Sequence, residues 1–244
     1  MQAIWNRHGA TAITLVTAIV VVALVVRFAD LSWYNSHQDE VRTAFWQHIK
    51  LVVVTMAIAL AIAIPLGTLV ARFSILYTPV IGIMGIIYTI PSLALLAFLV
   101  TYIGIGFWNA IIALVVYSQF ILVRNVVVGL RQVDPAVVDA ARGMGMSPTQ
   151  VLFKIEYPLA MPAILAGIRI ATVATIAIAS IAALIDAGGL GTLLFNGLNV
   201  ALFSTSEIQV GAVAIALLAL SVDLILRLAE RLLPASRAGA VSGK

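Results

Sequence analysis

Between Phe73 and Val123 the chain carries no charged residue at all. That run is too long for one membrane crossing, which needs about 20 mostly apolar residues. It therefore has to hold two spans joined by a turn, and Gly104 and Gly106 place the turn within Thr101–Phe107. A chain with such a hairpin at its centre must pair its backbone polar groups internally, which points to a bundle of membrane helices. Composition agrees: 63% of residues are hydrophobic, 10% are charged and mean hydropathy is +1.14.

Six spans are expected, over Thr11–Val26, Leu51–Ala71, Val80–Val100, Trp108–Val123, Leu159–Leu184 and Ile208–Leu226. Arg7 before an apolar run also fits a signal peptide. No small-residue cleavage site follows it, only Arg27-Phe28-Ala29-Asp30, so the first helix (domain 1–30) is expected to be retained. With the N-terminus inside, the inner segments carry ten basic residues, among them Arg72, Arg124, Arg131, Arg142, Lys154 and Arg227. The outer segments carry three, Arg27, Arg42 and Lys50, and Arg169 falls within a span. This inside bias places both termini and segment 124–158 in the cytoplasm. Residues 30–50, with Trp33, Tyr34 and Trp46, read as an interfacial outer connection, and 234–244 reads as a polar tail.

Segment 124–158 is built, not merely polar. Asp134-Pro135 is an N-cap followed by a first-turn proline, and Ser147-Pro148-Thr149-Gln150 is a second start with Gln150 at the capping-box position. Gly143 and Gly145 lie between them, where a left-handed turn is easiest. Two short helices meeting at an angle outside the bilayer are expected.

Several function classes lack their chemistry. With no cysteine, neither disulfides nor thiolate metal sites can form, and a net charge of +4 without clustered bases and exposed aromatics does not describe a nucleic-acid surface. No G-x-x-x-x-G-K-[ST] cradles ATP; the glycines at Gly188, Gly189 and Gly191 lack the following lysine. His8, His37 and His48 are read as lying outside the span interiors, and no H-E-x-x-H or G-x-S-x-G occurs, so no catalytic site is expected. A secondary transporter would show related halves and midplane ion ligands, which this sequence does not.

The run Asp139-Ala140-Ala141, three residues, Gly145, then Ile155 and Pro158, resembles the EAA loop of ABC importer permeases. Two positions depart: Asp139 replaces the usual glutamate, and Tyr157 stands where leucine is common. Further stretches are similar to the osmoprotectant branch of that family, the permeases for glycine betaine, carnitine and choline. They are Ile64-Pro65-Leu66-Gly67, Tyr88-Thr89-Ile90-Pro91-Ser92-Leu93-Ala94, Val133-Asp134-Pro135-Ala136, Ala140 to Met146, and Asp186-Ala187-Gly188-Gly189-Leu190-Gly191. Together they cover roughly residues 45–230.

The resemblance implies an all-α, polytopic MetI-like permease fold in a prokaryotic cytoplasmic membrane, with a coupling-helix pair. It implies an ATPase partner that binds ATP and Mg, a second permease chain that is either this chain again in a homodimer or a paralogue, and an extracytoplasmic binding protein that delivers the solute. No cofactor is expected on this chain. The coupling residues would be Asp139, Ala140, Ala141, Arg142, Gly143, Gly145, Ile155 and Pro158. Asp139 and Arg142 can equally form a weak solvated pair at i, i+3. Tyr88, Pro91 and Ser92 mark a kink in the third span that either lines a pathway or only packs. Tyr88, Tyr102, Trp108 and Tyr117 could offer cation–π faces or act as packing and interfacial anchors. Arg169 either snorkels to the headgroups or forms a pair that changes with gating. Asp223 and Arg227 suit a local pair. Asp186, Gly188, Gly189 and Gly191 read as a flexible outer loop, with an ordinary glycine turn as the alternative. An importer for another small solute, such as an amino acid, is the nearest rival.

Overall fold

The computed structural model describes residues 31–199 and 204–232, with isolated positions at 20, 23 and 27. Every regular element among them is helical. In chain order they are α1 (Leu31–Ser36), α2 (Gln38–Arg72), α3 (Tyr77–Thr89), α4 (Ser92–Ile103), α5 (Phe107–Arg131), α6 (Pro135–Gly143), α7 (Pro148–Val151), α8 (Tyr157–Ala179), α9 (Gly191–Asn199) and α10 (Thr205–Leu232). Short 3-10 turns occupy Ser74–Leu76 and Ile181–Ile185, and a π turn at Leu152–Glu156 joins α7 to α8.

Among the described residues, four continuous helices are long and apolar enough to cross a membrane: Gln38–Arg72, Phe107–Arg131, Pro148–Ala179 and Thr205–Glu230. The expected third span differs from its forecast. It is two helical pieces, Ser74–Thr89 and Ser92–Ile103, bent by 95° and not one kinked helix. Ile90 precedes Pro91, which drives it out of the α region, and its ψ is 129°. The helix ends there, and the proline's missing N–H leaves nothing to resume the ladder. Five of the six expected spans are thus represented, counting the bent pair as one. The first, 11–26, lies outside the described residues apart from its isolated positions, as does the tail 234–244. The outer connection is also more regular than expected, because α2 begins at Gln38. At 1.5 Å per residue it is about 50 Å long, well beyond the roughly 30 Å that one crossing of the hydrocarbon layer requires.

The core forms around α5, of whose apolar stretch 61% is buried. Leu114, Leu122, Val123 and Val127 of α5 close on Ala59, Ala63 and Val70 of α2 and on Ala171 and Ile176 of α8. Lipid tails give helices no hydrophobic reason to associate, so close approach of small residues has to do it. Two glycines carry that requirement. A Cβ on Gly67 would meet the Val126 side chain at 2.7 Å, and one on Gly167 would meet Asn125 at 2.4 Å. α10 lies outermost, with 6% of its apolar stretch buried, against α8 and α9.

Candidate functional site

The helix pair α6–α7 is assembled from hydrogen bonds the sequence announces. The Asp134 carboxylate accepts from the Ala136 N–H at 2.8 Å, with Pro135 at the first helical position. At the other end of α6, Met146 N–H donates to Ala141 C=O and Gly145 N–H to Arg142 C=O. Gly145 has φ +84°. This is a Schellman stop, with the glycine at the left-handed position that a Cβ would strain. Gly143 is the last residue of α6 and has ordinary helical geometry, so only Gly145 fulfils the expected left-handed turn. Ser147 and Gln150 then start α7 through a reciprocal capping box, with bonds of 2.9 and 3.3 Å.

Ala141 and Val151 are buried where the two helices meet, whereas Asp139, Ala140, Arg142, Gly143 and Gly145 are exposed. Asp139 and Arg142 form an i, i+3 pair at 3.6 Å with both side chains largely in solvent. Such a pair is worth little by itself. Met144 is 76% and Phe153 63% exposed beside them. The elbow thus presents an apolar and charged surface on a rigid frame. Ile155 is half-buried in the π turn, whose closing bond runs from Tyr157 N–H to Leu152 C=O, and Pro158 follows directly. A proline there withholds one donor from the helical ladder.

Two contacts bind this elbow to the bundle, and a third fixes the end of α5 that leads into it. Arg72 at the end of α2 donates to Glu156 at 2.8 Å. Thr68 and Tyr157 share a hydroxyl bond at 2.7 Å. Arg131 donates to the Val70 carbonyl at 3.2 Å and lies 4.7 Å over the Tyr77 ring. Tyr157, one of the two departures noted in the sequence, therefore supplies a polar bond that leucine could not.

A second constellation surrounds the helix break. The Tyr117 hydroxyl donates to the Ile90 carbonyl, one of the groups the break releases. Tyr88 packs edge-on against Tyr117 with centroids 5.8 Å apart. Both line a shallow depression together with Ser118 and Thr175, whose hydroxyls are 3.1 Å apart. Pro91 and Ser92 form the break itself and do not line it. Tyr102 and Trp108 lie exposed near the outer turn.

Arg169 is paired: its guanidinium donates to Asp223 at 3.1 Å and lies 3.7 Å from Glu230, while Arg227 takes the other Asp223 oxygen at 2.6 Å. The Asp223–Arg227 pair is local as expected, but it belongs to a four-residue cluster joining α8 to α10.

The Asp186–Gly191 segment is better built than a flexible loop. Asp186, Gly188 and Gly189 all have positive φ, and Gly191 sits so tightly that a Cβ would lie 1.8 Å from the Ser180 carbonyl oxygen. Gly189 N–H donates to Gln47 at 3.0 Å and Leu190 N–H to His48 Nδ1 at 3.2 Å. His48, read from sequence as outside the span interiors, is fully buried and also bonds the Ile176 carbonyl through Nε2 at 3.1 Å. No motif in the sequence marks it, since its partners are backbone groups far along the chain.

Residues 63–234 match the family described as "Binding-protein-dependent transport system inner membrane component". The carnitine transport permease protein OpuCB of Listeria monocytogenes is 40% identical over 201 residues, which cover 82% of this chain and 90% of that one. The choline transport system permease protein OpuBB of Bacillus subtilis (strain 168) is 39% identical, with 76% and 85% covered. The osmoprotectant import permease protein OsmW of Salmonella typhimurium is 40% identical, with 74% and 86% covered. Among solved structures, the inward-facing methionine ABC transporter MetNI aligns with TM-score 0.73 at 22% identity, covering 80% of this chain and 97% of that chain. That likeness concerns the fold.

Proposed function

This chain belongs to the family of binding-protein-dependent inner-membrane transport components, and from that membership we propose that it forms the translocation pathway of an ABC importer for quaternary-amine compatible solutes. The observation that carries the substrate class is the run of relatives, 36–40% identical, named for carnitine, choline and glycine betaine. The chain is a transport component, not an enzyme. Energy comes from a partner ATPase holding ATP and Mg, and a binding protein on the other side delivers the solute.

In this reading the elbow at Asp139–Gly145 seats on the ATPase. Exposed Met144, Phe153, Asp139 and Arg142 offer the contact, and the Schellman turn fixes their spacing. Movement of the ATPase passes through Glu156–Arg72 and Tyr157–Thr68 into α2 and α8, which both pack on α5. A second copy of the chain completes the pathway, with Tyr88 and Tyr117 at the helix break facing it. Their rings suit a quaternary ammonium, which is attracted to aromatic faces within about 6 Å.

The test is uptake of labelled choline, carnitine and glycine betaine by proteoliposomes carrying this chain, its ATPase and its binding protein. ATP-dependent accumulation of at least one of them, abolished by Gly145→Trp, is the expected result. Uptake of an amino acid with no response to any quaternary amine would overturn the substrate class.

A further inference from the structure

We propose that His48 is a positioning residue that latches the outer glycine loop closed, and that protonation of its ring releases the latch. The ring is fully buried and both nitrogens are engaged, Nε2 with the Ile176 carbonyl at 3.1 Å and Nδ1 with the Leu190 N–H at 3.2 Å. A carbonyl can only accept and an amide N–H can only donate, so the ring carries its proton on Nε2 and keeps Nδ1 bare. One side chain of α2 thereby ties the outer end of α8 to the loop. Gln47 adds a second tie through Gly189, and the loop lies directly on both residues: a Cβ on Gly188 would fall 2.5 Å from Gln47 Oε1 and one on Gly189 3.0 Å from His48 Nδ1.

A second proton has one place to go, Nδ1, where it would face the Leu190 N–H. Two donors then oppose each other in a buried site, and the bond between loop and ring is lost. The bond to Ile176 survives, so α2 and α8 stay joined, while the loop is left on the Gln47–Gly189 bond alone and opens more readily. Among the described residues, the charged groups on the surrounding elements do not replace the lost bond. Lys50 lies over the Phe107 ring, Asp186 is exposed, Arg169 is about 10 Å down α8 from Ile176, and Glu207 of α10 interacts with Glu40 and His37; α9 carries no charge. The inference rests on the outward placement of this loop in the function proposed above.

The chain has no cysteine, so a single Ala187→Cys variant reports on the loop without background. Ala187 is buried under the closed loop. Labelling by a membrane-impermeant maleimide in intact cells would be followed from about pH 8 to about pH 4.5, reaching below the ordinary imidazole range because burial disfavours the charged ring. The same measurement in an added His48→Gln background gives a reference at each pH. Glutamine can donate to Ile176 and accept from Leu190 but does not titrate, so the ratio removes the thiol's own pH dependence. The expected ratio rises about tenfold towards acid, the scale of one lost buried hydrogen bond, and His48→Ala labels fast at every pH. A ratio flat with pH overturns the proposal, as does His48→Gln labelling as fast as His48→Ala. Asp186→Cys and Gln132→Cys check the premise separately. Labelling of Gln132→Cys but not Asp186→Cys from outside would invert the topology and remove the functional reading, not the latch geometry.

Discussion

Gly143 and Gly145 stand two residues apart and look alike in sequence, yet the structure separates them. Gly145 has φ +84° and open space around it, whereas Gly143 closes a helix with nothing within 4 Å of its would-be Cβ. Gly145→Ala should therefore lower stability by about 1–2 kcal/mol, the price of a left-handed non-glycine residue, and reduce ATP-driven uptake. Gly143→Ala should be neutral or stabilising by up to about 1 kcal/mol. Thermal unfolding of the detergent-solubilised complex, read beside uptake, checks both. Equal losses from the two substitutions would contradict the Schellman assignment. At this scale the caps were legible, because Asp134-Pro135 and Ser147–Gln150 satisfy local rules. His48 was not, because its burial depends on segments 128 and 142 positions away along the chain. Local patterning carries no trace of such contacts.

Between elements, the tie on which the proposed transmission depends is Arg72–Glu156, which joins the last residue of α2 to the π turn before α8. With the arginine side chain 37% exposed, its contribution to stability is small, about 1 kcal/mol or less. Its contribution to coupling should exceed that. Arg72→Glu alone places two carboxylates together and should cut uptake severalfold while leaving the protein folded. Adding Glu156→Arg should restore it. Failure of the double variant to recover would mean that the charges serve something other than each other. The bent pair α3–α4 shows where sequence reading stopped short. Pro91 announced an interruption, but the 95° angle depends on Ile90 going extended and on Tyr117 receiving its carbonyl. The second of these is a contact between helices that no local rule contains.

Across the whole molecule, α10 is held least by packing and most by charge. Its apolar stretch is 6% buried, while Asp223 and Glu230 hold Arg169 of α8. Asp223→Asn should loosen the inner half of α10 by about 2 kcal/mol, between the values for exposed and for buried pairs. Hydrogen exchange should rise along residues 219–230 and stay unchanged in α5. A uniform rise across all helices would instead indicate global destabilisation. Five of the six expected spans fall among the described residues, and the all-helical, multi-pass class followed from composition, since the bilayer allows so few alternatives. The order of packing around α5 did not, because Gly67 and Gly167 disclose their partners only in three dimensions.

The π turn at Leu152–Glu156 gives this architecture a phase. Each α-helical residue advances the chain by about 100° around its axis, and a wide turn resets that advance once, just where the elbow meets α8. Removing one residue here would let an unbroken α-helix form and would swing Asp139, Met144 and Phe153 about a quarter-turn around the axis of α8. All of them would still be present and still exposed, but they would face another direction. The elbow therefore works as a crank keyed to its shaft at one angle, and a single-residue deletion would be a mistiming rather than a loss of parts.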